Sequence, residues 1–330
     1  MRKNMEKKMK RLFHATATVA LLSFAAVMGV PASAADIPCS TARLIVPWNA
    51  GGDTDIIFRL VVNSINMSDF KPKLQVVNVS GRSGNKGAKE VKNSRPDGCT
   101  LLAIHESQIT TYLAGRVDFT WDAFDPVARL TYTPSILGGS AKVPFKSMKD
   151  FIDSAKKKPN SVRVGVTTGS TSQYLNLLIE DATGTKFKYI PYEGTRERLT
   201  AILAHNVDVG EMSILTAKKY LKEGTMKAFA IAAEKRDPIM PELPTFREQG
   251  IDIVYGLYRG VVAPQGTSKD IIRKYDAAFA KALRDLAVKK ALDEKGTWIV
   301  YLNSEDYRKF FEQEFAAHKK TSIKIGLYKE

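Results

Sequence analysis

From Ala42 onward, short β-branched runs alternate with amphipathic segments of helical period. A parallel α/β sheet requires this alternation, because each strand must return through a crossover before the next can pair beside it. Residues 43–47 read as a first strand, 54–64 as a helix, 74–79 as a second strand, 88–94 as a helix and 100–104 as a third strand. The links between them are short and rich in glycine, as in compact α/β units. A second unit follows the same plan. Ser147 and Asp150 stand at capping-box spacing before a helix to Lys157, and residues 161–166 read as a strand. Ser170 and Gln173 repeat that spacing at a helix running to about Ala182, and strands at 187–191 and 228–232 flank a helix at 195–204. Thr267 and Asp270 are expected to cap a long helix, 271–292, with Ile272, Tyr275, Phe279, Leu283 and Leu286 on one stripe. A last helix from about Ser304 presents Phe310, Phe311 and Phe315 as core packing. A chain of 330 residues has ample length to bury such cores.

The first 34 residues follow a different logic. Arg2, Lys3, Lys7, Lys8, Lys10 and Arg11 precede an apolar run, 16–30, and the small residues Ala32-Ser33-Ala34. Basic, apolar and small in that order is a secretory signal, with cleavage expected after Ala34. Thr16, Thr18, Ser23 and Gly29 interrupt the run, which falls short of the ~20 apolar residues of a membrane span. Asp36-Ile37-Pro38 before Cys39 is unlike a lipidation site. Cleavage removes six basic residues and one acidic residue and lowers the formal charge from +15 to +10. That excess can steer an anionic ligand or simply maintain solubility. It is not gathered into aromatic-interleaved stripes, and its longest run, Lys156-Lys157-Lys158, reads as a solvated helix end, so nucleic acid is not an expected partner. His105, His205 and His318 are far apart, and no His, Cys and carboxylate set has metal spacing, so neither a metal nor another cofactor is expected.

Two loops carry the chemistry. Trp48-Asn49-Ala50-Gly51-Gly52-Asp53-Thr54-Asp55 leaves the first strand and enters the first helix. Paired glycines let the backbone approach a ligand, and the free N–H groups of a helix start attract an anion with help from the helix dipole. Asp55 is assigned to the turn itself, one helical turn before Arg59, while Asn49, Ala50, Gly51, Gly52 and Thr54 are assigned to ligand contact. Thr168-Gly169-Ser170-Thr171-Ser172-Gln173 repeats the arrangement in the second unit. The serines have no G-x-S-x-G elbow and no His/Asp pair, so a hydrolase lacks both its nucleophile and its base. Two anion-ready helix starts, each in its own α/β unit, point to a site between the units.

Further segments recur in a set order: Leu44-Ile45-Val46-Pro47-Trp48, Val76-Val77-Asn78, Gly81, Gly84 and Gly87, Pro96-Asp97-Gly98-Cys99-Thr100-Leu101-Leu102, and Phe124-Asp125-Pro126-Val127. Ile190-Pro191-Tyr192-Glu193-Gly194, Leu243-Pro244-Thr245-Phe246 with Gly250, and Ala263-Pro264-Gln265-Gly266-Thr267 complete the set. In these segments and their spacing the chain resembles the extracytoplasmic solute-binding receptors of the tripartite tricarboxylate transporter family, across nearly all of the sequence after the signal. The resemblance implies a two-lobed, flytrap-like α/β fold of the periplasmic-binding-protein kind. It also implies a non-catalytic periplasmic receptor that takes a small carboxylate between its lobes and delivers it to membrane permease subunits. The ligand loops of the family match Trp48 to Asp55 and Thr168 to Gln173. Residues 36–133 with 262–330 are then expected as one lobe and 134–261 as the other, with hinges near 133–139 and 255–262. Asp53, Cys99 and the stretch Gly210-Glu211-Met212-Ser213 depart from the family's usual residues; Ser213 is taken as a further contact. Cys39 and Cys99 are the only cysteines, so in an exported chain they are candidates to pair, and the strand order of this receptor class sets the strands they precede side by side.

Three residues keep two readings. His105, after the third strand, is either a ligand donor or a packed histidine. Glu106 beside an anion must be turned away or protonated. Arg259 either grips a carboxylate with its guanidinium or is a solvated hinge residue. Trp48 begins the first ligand loop and is grouped with it. Arg196 and Arg198 are expected at the surface. The receptor is expected to act as a monomer, with a sensor kinase as the alternative membrane partner.

Overall fold

The computed structural model describes residues 36–328, so the expected signal segment, 1–34, lies outside the described residues. The chain runs β1 (Thr41–Val46), α1 (Asp53–Met67), β2 (Lys73–Asn78), α2 (Asn85–Lys92), β3 (Thr100–Ile104), α3 (Ser107–Leu113) and β4 (Phe124–Pro134). It continues with β5 (Ile136–Ser140), α4 (Met148–Lys157), β6 (Arg163–Val166), α5 (Thr171–Thr183), β7 (Lys188–Pro191), α6 (Thr195–Leu203), β8 (Val209–Met212), α7 (Ile214–Lys222) and β9 (Met226–Ile231). It ends with β10 (Gly256–Pro264), α8 (Lys269–Leu283), α9 (Leu286–Asp293), β11 (Trp298–Leu302) and α10 (Ser304–Lys324).

These strands make two sheets, ordered β11-β4-β10-β3-β1-β2 and β7-β6-β8-β5-β9. In each, the strands joined by helical crossovers pair in parallel, β1 with β2 and β3, β6 with β7 and β8. The antiparallel pairs all involve β4, β5 or β10, the strands that flank the two crossings between the sheets. The fold is therefore two α/β lobes, each with a sheet covered by helices. In the first, Ile45, Leu102, Ile104 and Val262 pack against Phe124, Tyr307 and Phe311. In the second, successive β5 and β9 residues turn to opposite faces: Leu137 and Ala230 join the cluster of Phe151, Phe187, Phe229 and Phe246, whereas Ile136 and Ile231 join Met212, Met226 and Ile202.

Ser135 alone separates β4 from β5, and the return passes through Tyr255 just before β10. The two crossings are tied together: Ser135 N donates to Tyr255 O at 3.1 Å, Ala232 N to Ser135 O at 2.8 Å and Tyr255 N to Ala232 O at 2.9 Å. The chain bridges the lobes a third time. The stem of α10 is buried in the first lobe through Tyr307 and Phe311, while Ile325 and Leu327 beyond its end pack on the second-lobe core. Tyr174 Oη donates to His318 O at 3.3 Å, and Lys324 pairs with Asp181 at 2.6 Å.

Cys39 and Cys99 are joined by a disulfide, with Cα atoms 5.9 Å apart, at the entries to the adjacent strands β1 and β3. The single long helix expected over 271–292 is two helices. Ser268, rather than Thr267, caps the first; Asp285 Oδ1 accepts from Ala287 N at 2.9 Å and starts the second, leaving Leu286 80% exposed instead of on the buried stripe.

Candidate functional site

The lobes enclose a cleft lined from the first lobe by Trp48, Asn49, Gly52, Asp53, Thr54, His105, Ser107, Leu257 and Arg259. The second lobe contributes Thr167, Ser170, Thr171, Ser172, Gly194, Thr195, Arg196, Arg198 and Glu211. Three helix starts, those of α1, α5 and α6, meet there. The first N–H groups of each have no partner within their own helix, so together they present donors to the cleft.

The loop into α1 is held by Asp55, which is buried. Its carboxylate accepts from Gly51 N, Arg59 Nε and Asn78 Nδ2, each at 2.9 Å. Burial pushes the Asp55 carboxyl up, but these hydrogen bonds outweigh it and hold the group below its ordinary range. Gly51 is thereby held in place, and neither it nor Ala50 lines the cleft; Ala50 O accepts from Arg196 Nη1 at 3.1 Å. Trp48 packs on Gly84, where a Cβ would stand 2.9 Å from the indole, and stacks on His105 with ring centres 5.1 Å apart. The indole N–H of Trp48 is buried and has no partner among the described residues.

In the loop into α5 the capping is shifted by one residue from the expected box. Gln173 Oε1 accepts from Gly169 N at 2.6 Å, and Ser172 Oγ accepts from Thr167 N at 2.9 Å, while Ser170 makes no side-chain cap. Thr168, Gly169 and Gln173 therefore build the turn, and Ser170, Thr171 and Ser172 line the cleft. Ser213 lies elsewhere. Its Oγ accepts from Thr216 N at 3.3 Å to cap α7, and it lines a small side cavity with Asp53, Thr133 and Thr297.

The ionisable lining is mostly buried. Arg259, 2% exposed, is a cleft residue and not a solvated one: its Nε donates to Thr54 Oγ1 at 3.1 Å and its Nη1 to Thr133 Oγ1 at 2.8 Å, with no protein partner for Nη2 among the described residues. Arg198 corrects the expectation of a surface residue. It is 2% exposed, donates to Glu211 Oε2 at 2.5 Å and to Glu211 O at 3.0 Å, and lines the cleft; Arg196 stays at the exposed rim. Burial pushes the Glu211 carboxyl up against the opposing pull of Arg198. His105 Nδ1 accepts from Ser107 N at 3.2 Å, which fixes the neutral tautomer with its proton on Nε2. Burial and the nearby Arg259 lower its pKa to about 3. Glu106 is turned away from the cleft, its two oxygens 3.0 and 3.1 Å from the donating Tyr258 N, and burial with Glu314 nearby raises it well above its usual range.

Gly194, Thr195, Arg198 and Glu211 were not singled out from sequence as ligand contacts, although Gly194-Thr195 repeats the strand, glycine, hydroxyl, helix order of the other two loops. Arg198, one turn into α6, is drawn inward by Glu211 on the adjacent β8, a pairing that only the sheet order reveals.

Among the described residues no helix is long and apolar enough to cross a membrane, and no group of three or more His, Cys, Asp or Glu residues is placed to hold a metal ion.

Two α/β lobes closed on a polar cleft by strand crossings define the class of periplasmic solute-binding proteins. Residues 58–327 match the family described as the tripartite tricarboxylate transporter family receptor, and the chain belongs to that family. A protein of Cupriavidus necator, described as the UPF0065 protein in the gbd 5′ region, is 30% identical over 97% of this chain and 99% of its own. Among solved structures, MatC of Rhodopseudomonas palustris with bound malate is similar at 28% identity, over 85% of this chain and 98% of that one, with a TM-score of 0.79. Rpa4515 of R. palustris with adipate is similar at 26% identity, over 88% and 99%, with a TM-score of 0.81.

Proposed function

We propose that this protein is an exported receptor that captures a small organic carboxylate in the cleft and hands it to a membrane permease. The observation that carries the reading is Arg259, a fully buried guanidinium with an unused Nη2, facing a cleft where three helix starts converge. Such a site needs an anion to satisfy it, because a buried charge without a partner is costly. The malate and adipate bound by two similar proteins support a carboxylate here. Of the residues expected to bind, Trp48, Asn49, Gly52, Thr54, His105, Ser170, Thr171, Ser172 and Arg259 line the cleft and are proposed as contacts; Ala50, Gly51, Thr168, Gly169 and Gln173 hold the loops in shape. Thr195 is added to the contacts, and Arg198 shapes the lining through its pair with Glu211.

Ligand release requires the lobes to part; the expected boundary at 261/262 would cut β10, which lies wholly in the first sheet, so we take residues 36–134 with 256–330 and residues 136–254 as the moving bodies, hinged at Ser135 and Tyr255. Asn49 Nδ2 donating to Glu197 Oε1 at 2.7 Å, Ser83 Oγ to Thr168 O at 2.7 Å and Arg196 to Ala50 O are the contacts that would break. A thermal-shift screen of mono-, di- and tricarboxylates tests the reading: a ligand at about 100 times its Kd adds about 2.7 kcal/mol of stability. A screen in which only non-acidic compounds stabilise the protein overturns it.

A further inference from the structure

The charged groups lining the cleft are not all free to meet a ligand. Arg198 and Glu211 are paired with each other at 2.5 Å, and Arg196 lies at the exposed rim with its guanidinium on Ala50 O. Two charges on the lining remain, one on the buried Arg259 and one on the half-buried Asp53. Arg259 is hydrogen-bonded only to the hydroxyls of Thr54 and Thr133, and Asp53, at the first position of α1, makes no side-chain hydrogen bond or ion pair among the described residues. The turn does not need Asp53, because Asp55 already holds Gly51 N and anchors Arg59. Asp53 and Arg259 lie within electrostatic range of each other, and Asp53 also within range of Glu211, yet neither residue closes a pair. The cleft lining thus carries one positive and one negative group that close no pair with each other, together with a buried indole N–H that also lacks a partner among the described residues.

We infer that the ligand is a zwitterion, an organic carboxylate that also bears a cationic nitrogen, with Arg259 receiving the carboxylate and Asp53 the nitrogen. A simple dicarboxylate fits these charges poorly, because its second carboxylate would stand against Asp53 with Glu211 behind it, and like charges repel most strongly where water is excluded. A cationic nitrogen at the same place converts that repulsion into a charge-assisted hydrogen bond. The helix starts of α5 and α6 remain available to oxygen atoms elsewhere on the ligand. This inference rests on the carboxylate reading and narrows it to one charge pattern.

Calorimetric titration of the full chain lacking residues 1–34 with matched pairs tests it: propionate and alanine, butyrate and 4-aminobutyrate, succinate and aspartate, glutarate and glutamate. In every pair that binds, the aminated member is expected to bind at least tenfold more tightly, and Asp53→Asn is expected to shrink that preference at least tenfold while leaving the affinity for the plain acid equal or higher. Plain acids that bind as tightly as their aminated partners overturn the zwitterion and leave the carboxylate reading standing. An undiminished preference in the Asp53→Asn variant removes Asp53 as the counter-charge and overturns the assignment as stated. Failure of every carboxylate, aminated or plain, overturns both readings together. The native protein decides the first question by itself, so a poorly folding variant does not protect the proposal.

Discussion

Arg198 and Arg259 are equally buried, but they differ in what their guanidinium groups have left to give. Arg198 has spent its donors on Glu211, Thr167 and Thr195, so removing it strands a buried carboxylate. Arg198→Ala is expected to destabilise the fold by about 3–5 kcal/mol, read by urea unfolding, before any question of ligand arises. Arg259 keeps donors in reserve, and its loss should appear in binding: Arg259→Ala is expected to weaken the best ligand tenfold or more, since a charged hydrogen bond contributes about 1.5–3 kcal/mol. Equal affinities by calorimetry would remove it from the site. His105 contributes through its neutral form. With a folded pKa near 3, its Nε2–H stays a donor at every pH from 5 to 8, and nitrogen NMR shifts of the ring should show one neutral tautomer throughout. Glu106 shows the opposite linkage. Its folded pKa lies well above the 4.5 of an ordinary glutamate, so below 4.5 both folded and unfolded chains hold the proton and the group adds no pH dependence. Above 4.5 only the unfolded chain releases it, and the native protein should lose stability relative to Glu106→Gln as pH rises through neutrality. Urea midpoints for the two proteins at pH 5 and pH 8 check the sign.

At the scale of elements, six strands were legible, and β4, β5, β8, β10 and β11 were not. β1, β2, β3, β6, β7 and β9 were anticipated to within about two residues at most ends, because each is a short apolar run beside a helical period. β5 was missed because Gly138-Gly139 looks like a turn. The strand needs glycine there for closeness: a Cβ on Gly139 would fall 2.4 Å from Asp208 O of the neighbouring chain segment. β10 and β11 pair only with distant segments, and local pattern carries no trace of such pairing. The candidate site divides in the same way. The two glycine loops could be read because loop and helix start are contiguous, whereas Arg198 and Glu211 join only once β8 lies beside β6. Cap chemistry was legible to within one residue, as at Ser147, whose Oγ accepts from Asp150 N at 3.1 Å. At α10 the cap is Asn303, whose Oδ1 accepts from Asp306 N at 3.0 Å, and Asn303→Ala should cost about 1 kcal/mol in chemical denaturation.

For the whole molecule, the disulfide and the bridging helix set the mechanical limits. The Cys39–Cys99 bond closes a loop of 60 residues within the first lobe, so the paired change to serine is expected to remove roughly 4 kcal/mol in the chain-entropy model. Because both cysteines enter first-lobe strands, the reduced protein should lose stability without losing ligand affinity, and denaturation alongside calorimetry separates the two. The C-terminal helix acts at a longer range. Its stem is bedded in one lobe and the residues beyond its end in the other, so it works as a tether whose slack determines how wide the mouth can gape. A chain cut after Lys320 would keep its hinge strands and its cleft but lose Lys324, Ile325 and Leu327 from the far anchorage. Small-angle scattering of that shortened protein should show a wider resting aperture, and its ligand should dissociate faster than from the tethered form.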